Sequence, residues 1–154
     1  MERIKKEMKE KPKTNYSRQG KLNRAAGVRF EAKVRAELKS QRWIICKWMN
    51  NIDLEKNEII PAKRKYNPYL RALSIGNGFP DFICFRNSGK KDYEIIGVEV
   101  KANGWLDKEE KEKCKWLLDN KIFSKILIAK KGNKRGEIEY INFLEKYKKD
   151  FPAQ

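Results

Sequence analysis

Between Leu22 and Ser40 the apolar residues Ala26, Phe30, Val34 and Leu38 recur every fourth position among charged ones. That spacing is one face of a helix and predicts a helix over about 22–40. The next apolar run, Trp43-Ile44-Ile45-Cys46-Lys47-Trp48, is short, aromatic and β-branched, and reads as a strand. From 50 to 79 the pattern fails. Pro61, Pro68, Gly76 and Gly78 interrupt this stretch, which reads as a long irregular insertion. Strands are expected again at Asp81–Arg86 and Tyr93–Lys101, joined as a hairpin by the polar turn Asn87-Ser88-Gly89-Lys90-Lys91. Asp107 is a suitable N-cap for a helix running to Asp119, with Cys114, Leu117 and Leu118 turned inward. A strand at Lys125–Lys130, another at Glu137–Ile141 and a closing helix over Asn142–Lys149 complete the pattern.

The order helix, strand, hairpin, helix, strand is αβββαβ, which implies an α/β fold with a mixed central sheet flanked by helices. A chain of 154 residues suits one core and is too short for two ordinary domains. The domain is therefore placed at 21–154. Residues 1–20, with Pro12, Gly20 and few apolar positions, are expected to form a basic arm that is flexible without a partner. A short helix at 2–10 is compatible with the pattern.

Charge sharpens this picture. The formal net charge is +16, and residues 1–40 hold 13 basic against 5 acidic residues. Lysine and arginine gain affinity by displacing counterions from phosphate backbones, so nucleic acid is the leading partner. A lysine-rich solvated surface would give the same excess, and charge alone does not settle function.

Histidine is absent. This excludes Ser-His-Asp and Cys-His nucleophilic sites, histidine acid/base chemistry and the usual zinc ligand sets. Cys46, Cys84 and Cys114 are widely spaced and form no C-x-x-C pair, so all three are expected to be buried thiols. No apolar run approaches the roughly 18 residues of a membrane span. The charged first residues lack the apolar centre of a secretory signal, so a cytoplasmic, reducing location without membrane contact is expected.

Catalysis in such a chain must run on carboxylates, lysine and a hard cation. Val98 and Val100 alternate with Glu99 and Lys101, so strand geometry sends the valines to one face and the acid and base to the other. Taken alone, that alternation is also what a solvated strand face shows. Asp81 follows Pro80 at the start of the preceding strand and meets Glu99 if the hairpin register allows it. Two carboxylates beside a lysine suit Mg2+, with Mn2+ able to substitute, because hard cations take oxygen ligands and offset repulsion between acids. The set suffices for phosphodiester hydrolysis: the cation polarises a phosphoryl oxygen and Lys101 steadies developing negative charge.

Pro80-Asp81, a 17-residue gap and Glu99-Val100-Lys101 together resemble the PD-(D/E)XK nuclease superfamily. The resemblance covers about residues 24–130 and implies a restriction-endonuclease-like core. Arg29-Phe30-Glu31 resembles the acid that the first helix of such nucleases often supplies. The resemblance implies that Glu31 binds a second ion or orients Lys101, and that the Val100 backbone carbonyl joins Asp81 and Glu99 at the metal. The chain looks most like the archaeal-type Holliday junction resolvases, which act on branched DNA as homodimers, and is also similar to the viral replication-repair (VRR-NUC) group. Both groups often carry L-x-x-E-Q after the motif, where this chain reads Leu106-Asp107-Lys108-Glu109-Glu110. The insertion is also longer than the corresponding connection in a minimal resolvase.

Arg24, Arg29, Lys63, Arg64, Lys65, Arg71 and Trp105 are the expected DNA contacts; a solvated loop is the alternative for the 63–71 stretch, where Tyr66 and Tyr69 accompany the charges. The tryptophans Trp43, Trp48 and Trp105 suit either base stacking or the core. The expected activity is that of a metal-dependent DNA endonuclease selective for branched DNA, without a small-molecule cofactor. Its alternatives are a restriction-like or flap- and end-processing nuclease, or a non-catalytic DNA-binding module.

Overall fold

The computed structural model describes residues 16–68, 71–75, 78–89 and 92–151. In chain order these form α1 (Tyr16–Ser40), β1 (Ile44–Lys47), β2 (Asn50–Asp53), β3 (Glu58–Pro61), β4 (Arg64–Asn67) and β5 (Ala72–Ile75). They continue as β6 (Phe82–Asn87), β7 (Tyr93–Val100), α2 (Lys108–Asp119), β8 (Lys125–Lys131), β9 (Ile138–Asn142) and α3 (Phe143–Lys146). Five of the strands build a mixed sheet in the order β1-β6-β7-β8-β9. All its neighbouring pairs are antiparallel except β7 and β8, which run parallel. A parallel pair needs a crossover, and α2 supplies it.

Each face of the sheet has its own cover. On one, Phe30, Val34 and Leu38 of α1 pack on Phe82, Cys84, Ile96, Val98 and Ala129. On the other, Cys114 and Leu117 of α2 pack on Ile126 and Ile128 together with Phe123, Phe143 and Tyr147. Burying a large aliphatic or aromatic side chain contributes about 1.5–3 kcal/mol, so these two clusters fix which residues of each strand face inward.

Several boundaries differ from the sequence reading. The first helix starts at Tyr16 rather than near Leu22, so residues 16–20 of the expected arm are helical, while 1–15 and the suggested helix at 2–10 lie outside the described residues. Residues 18–29 of α1 are almost entirely exposed, Ala26 among them, because the helix meets the sheet only from Phe30 onward. Ala26 shares the spacing of Phe30 without sharing its burial.

The described part of the 50–79 insertion is not irregular. It folds as two antiparallel hairpins, β2–β3 and β4–β5. The first turn is held by the Asp53 carboxylate, which accepts from the amides of Glu55 and Lys56, and by Asn57 at φ 57°. Ile52 then joins the core under α2. Strands of four residues are too short to show alternation.

Cys84 and Cys114 are buried as expected, but Cys46 is exposed. It lies on β1, a sheet edge, alternating with Ile45, which packs against the α1 core. Trp43 is buried, and Trp48 packs on the second cluster with its ring 5.5 Å from Phe123. Among the described residues no helix is long and apolar enough to cross a membrane.

Candidate active site

The β6–β7 register decides where the chemistry-bearing residues meet. Phe82 pairs with Val98, which puts the residue before β6, Asp81, opposite Glu99. The backbone amide of Asp81 donates to Glu99 Oε2 at 3.2 Å, and the amide of Val100 donates to Asp81 Oδ2 at 2.9 Å. The two acids are thus held by reciprocal contacts to each other's strand.

Asp81 is also fixed from the far side. The Trp48 amide donates to its carbonyl at 3.1 Å, and the Phe79 amide donates to the Asn50 carbonyl at 2.9 Å. A side chain at Gly78 would place Cβ 2.1 Å from the Trp48 carbonyl oxygen, so only glycine lets the backbone pass this close. The start of the insertion therefore clamps the segment that delivers Asp81.

Lys101 continues β7 beyond its last paired residue, with its amide donating to the Ala129 carbonyl at 2.9 Å. Its ammonium lies 3.5 Å from Glu99 Oε1 and donates to Glu110 Oε1. Glu110 also completes a capping box at the start of α2. Its Oε2 accepts from the Asp107 amide at 3.0 Å while Asp107 Oδ1 accepts from the Glu110 amide at 2.8 Å. One carboxylate thus ties the lysine to the helix terminus.

Glu31, on α1, forms another wall. Asp81, Glu99, Val100, Lys101, Glu110, Glu31, Gly27, Gly78 and Phe79 line a single open cleft of about 340 Å3. The Glu31 carboxylate is 3.9 Å from Lys47 Nζ. Among the described residues no three aspartate, glutamate, cysteine or histidine side chains stand together as a ready metal cluster.

Electrostatics distinguish Asp81 and Glu99 from surface carboxylates. Burial pushes the Glu99 carboxyl up to about 8, and the charge of Asp81 adds to the effect. Asp81 is also raised, mainly by burial; the Val100 N–H opposes the shift and the Glu31 charge reinforces it. Burial alone would lower Lys101, but its hydrogen bond to Glu110 and the charge of Glu99 prevail and raise it. The lysine stays cationic, while burial holds Asp81 and Glu99 above the usual carboxylate range.

The structure therefore brings Glu31, Asp81, Glu99, Val100 and Lys101 to one cleft and leaves the other sequence-derived positions outside its lining. Arg24 and Arg29 are exposed on α1, and Lys63, Arg64 and Arg71 are exposed on or beside the second hairpin of the insertion. Lys65 lies in β4, with its side chain outside the described part, as is Tyr69. Trp105 is 65% exposed in the loop after Lys101, with the Lys146 ammonium 4.4 Å over its ring. Glu110 departs from the L-x-x-E-Q pattern, yet Asp107-x-x-Glu110 is itself a capping-box signature.

Comparison of the chain with family models, with curated proteins and with solved structures finds no match.

Proposed function

We propose that the protein is a divalent-metal-dependent DNA endonuclease of the PD-(D/E)XK type, built on a restriction-endonuclease-like core. The supporting observation is the convergence of Asp81 and Glu99 from paired strands beside Lys101 in an open cleft. The element order agrees with such a core: a helix carrying Glu31, a strand, the Asp81–Glu99 hairpin, then α2 and the parallel β8.

The donor set fits a hard cation. Both carboxylates have raised proton affinity in a cleft whose lysine is already shared with Glu110, so the site is short of positive charge. Mg2+ typically binds through one or two carboxylates and keeps several waters, which the Asp81–Glu99 pair can provide for without a third acid in contact. Asp81, Glu99 and the Val100 carbonyl would hold it, with Glu31 lining the same cleft. Bound there, the ion would supply positive charge to a phosphoryl oxygen and would lower the pKa of bound water.

The chain's own groups do the rest. Lys101, cationic and oriented by Glu110, faces the same cleft and stabilises negative charge that develops on the phosphate. The reciprocal contacts of Asp81 and Glu99 keep their oxygens in place before substrate arrives. The basic surface attracts the DNA backbone.

Branched DNA cut by a homodimer is the first substrate and assembly to test, on the resemblance to archaeal-type resolvases. Labelled four-way junction, flap and linear duplex, each incubated with Mg2+, separate the readings. Paired nicks in the junction support the resolvase habit; cutting of flaps or duplex alone supports an end-processing or restriction-like habit. Binding with no cutting of any substrate refutes the endonuclease reading in favour of a DNA-binding module.

A further inference from the structure

A second recess, of about 350 Å3, opens where the β8–β9 turn faces α1. Phe30 lines it together with Lys33, Lys131, Lys134 and Arg135. None of these positions belongs to the cleft described above or to the DNA contacts expected from the sequence.

Its place relative to the cleft follows from the sheet. The Lys101 amide donates to the Ala129 carbonyl at 2.9 Å and the Lys131 amide to the Ala102 carbonyl at 3.2 Å. The β8–β9 turn thus leaves the sheet at the same end as Lys101. Helix α1 is the shared wall: Glu31 lines the cleft, while its neighbour Phe30 and Lys33 line the recess.

The turn is built in a way that leaves its cations free. Glu137, the acid of the recess, is consumed internally: its carbonyl accepts from the Gly132 amide at 2.9 Å and its Oε2 from the Lys134 amide at 3.0 Å. A Cβ at Gly132 would lie 2.5 Å from the Glu137 side chain, so glycine lets that carboxylate fold inward. Among the described residues the side chains of Lys33, Lys134 and Arg135 have no ion-pair or hydrogen-bond partner, and the Lys131 ammonium has only the Phe30 ring, 6.0 Å away. Lys130, one residue earlier, is by contrast paired with Glu139 at 2.8 Å.

We propose that this recess is a phosphate-binding subsite for DNA backbone, holding the strand that extends from the Asp81–Glu99–Lys101 cleft. The proposal rests on the reading of the chain as a DNA-acting protein and adds the surface that positions the strand. Ammonium and guanidinium groups around an open recess suit phosphate oxygens, which fix register without reading bases. An acidic cutting site repels a polyanion, so cations beside it are needed to hold the strand there.

The test measures binding apart from cutting. Labelled four-way junction is titrated with the full chain in chelator over a range of salt concentrations, comparing wild type, Lys134→Ala/Arg135→Ala and Lys39→Ala/Lys121→Asn. The last pair removes the same charge at the opposite end of the sheet. The recess variant is expected to bind about tenfold more weakly and to lower the slope of log affinity against log salt by about 2, at an unchanged melting temperature. The distal variant is expected to match wild type.

Unchanged affinity and slope in the recess variant, or an equal loss in both variants, would overturn the subsite. Cutting in Mg2+ is scored separately. A wild type that shows the expected binding differences but never cuts leaves the subsite standing and removes the catalytic reading. A wild type that cuts while the recess variant binds normally does the reverse.

Discussion

The backbone N–H of Asp81 donates to the carboxylate of Glu99 at 3.2 Å, so the contact that aligns two strands also joins two of the acids that line the cleft. Position and charge are therefore coupled: the strand pairing that buries Val98 and Phe82 forces a pair of carboxylates into a poorly solvated site. The cost of that arrangement is what a divalent cation would offset.

A first prediction concerns Glu99 itself. Glu99→Gln keeps the acceptor for the Asp81 amide and removes a buried charge. The variant is expected to melt at a higher temperature than wild type in chelator near pH 8 while its DNA cleavage falls by about 100-fold or more, a stability gain at the expense of function. Thermal denaturation and single-turnover cleavage on the same preparations check both halves.

The pH dependence of stability has a definite sign. The folded chain holds the Glu99 proton up to about pH 8, against 4.5 for an ordinary glutamate, because burial and then Asp81 disfavour the charge. A raised folded-state value means the stabilisation is complete below about 4.5 and is lost as pH rises through about 8. Asp81, also raised, adds in the same direction. The melting temperature in chelator should fall between about pH 5.5 and pH 8.5, and Glu99→Gln should flatten much of that fall. Added Mg2+ or Mn2+ should raise it most at the alkaline end.

Glu110 links two features, and its variants separate them. Glu110→Ala removes the acceptor for the Asp107 amide and the anchor of Lys101 together, costing about 1 kcal/mol through the lost cap and lowering cleavage. Glu110→Gln has one carbonyl oxygen for two donors. It should retain most of the stability, measured by urea unfolding, but not full cleavage.

Gly78 carries no chemistry, yet the site depends on it. Gly78→Ala brings Cβ against the Trp48 and Asn50 carbonyl oxygens, at 2.1 and 2.5 Å. Relief requires moving the backbone that delivers Asp81, at an expected cost of at least about 2 kcal/mol in urea unfolding.

How much of this was legible in the sequence varies by residue. Phe30, Val34 and Leu38 announced α1 because they face the core, whereas Ala26 shares their spacing and is exposed, since periodicity does not say where a helix outruns its sheet. Glu99 and Lys101 shared a strand face by alternation, but their meeting with Asp81 depended on a register set by Phe82 and Val98 across the hairpin. The hairpins within 50–79 were hidden by four-residue strands whose order comes from side-chain turns such as that of Asp53. Glu110 was readable as a cap and not as the anchor of Lys101, because the latter contact joins elements that only the folded sheet brings together.

The most direct measurement is cleavage of a labelled four-way junction by wild type and Asp81→Asn, each with Mg2+ and with chelator. The expected result is strand scission by wild type in Mg2+ only, with Asp81→Asn binding the junction as tightly and leaving it intact. Scission that persists in chelator, or that Asp81→Asn performs as fast as wild type, would contradict the placement of hydrolysis in this cleft.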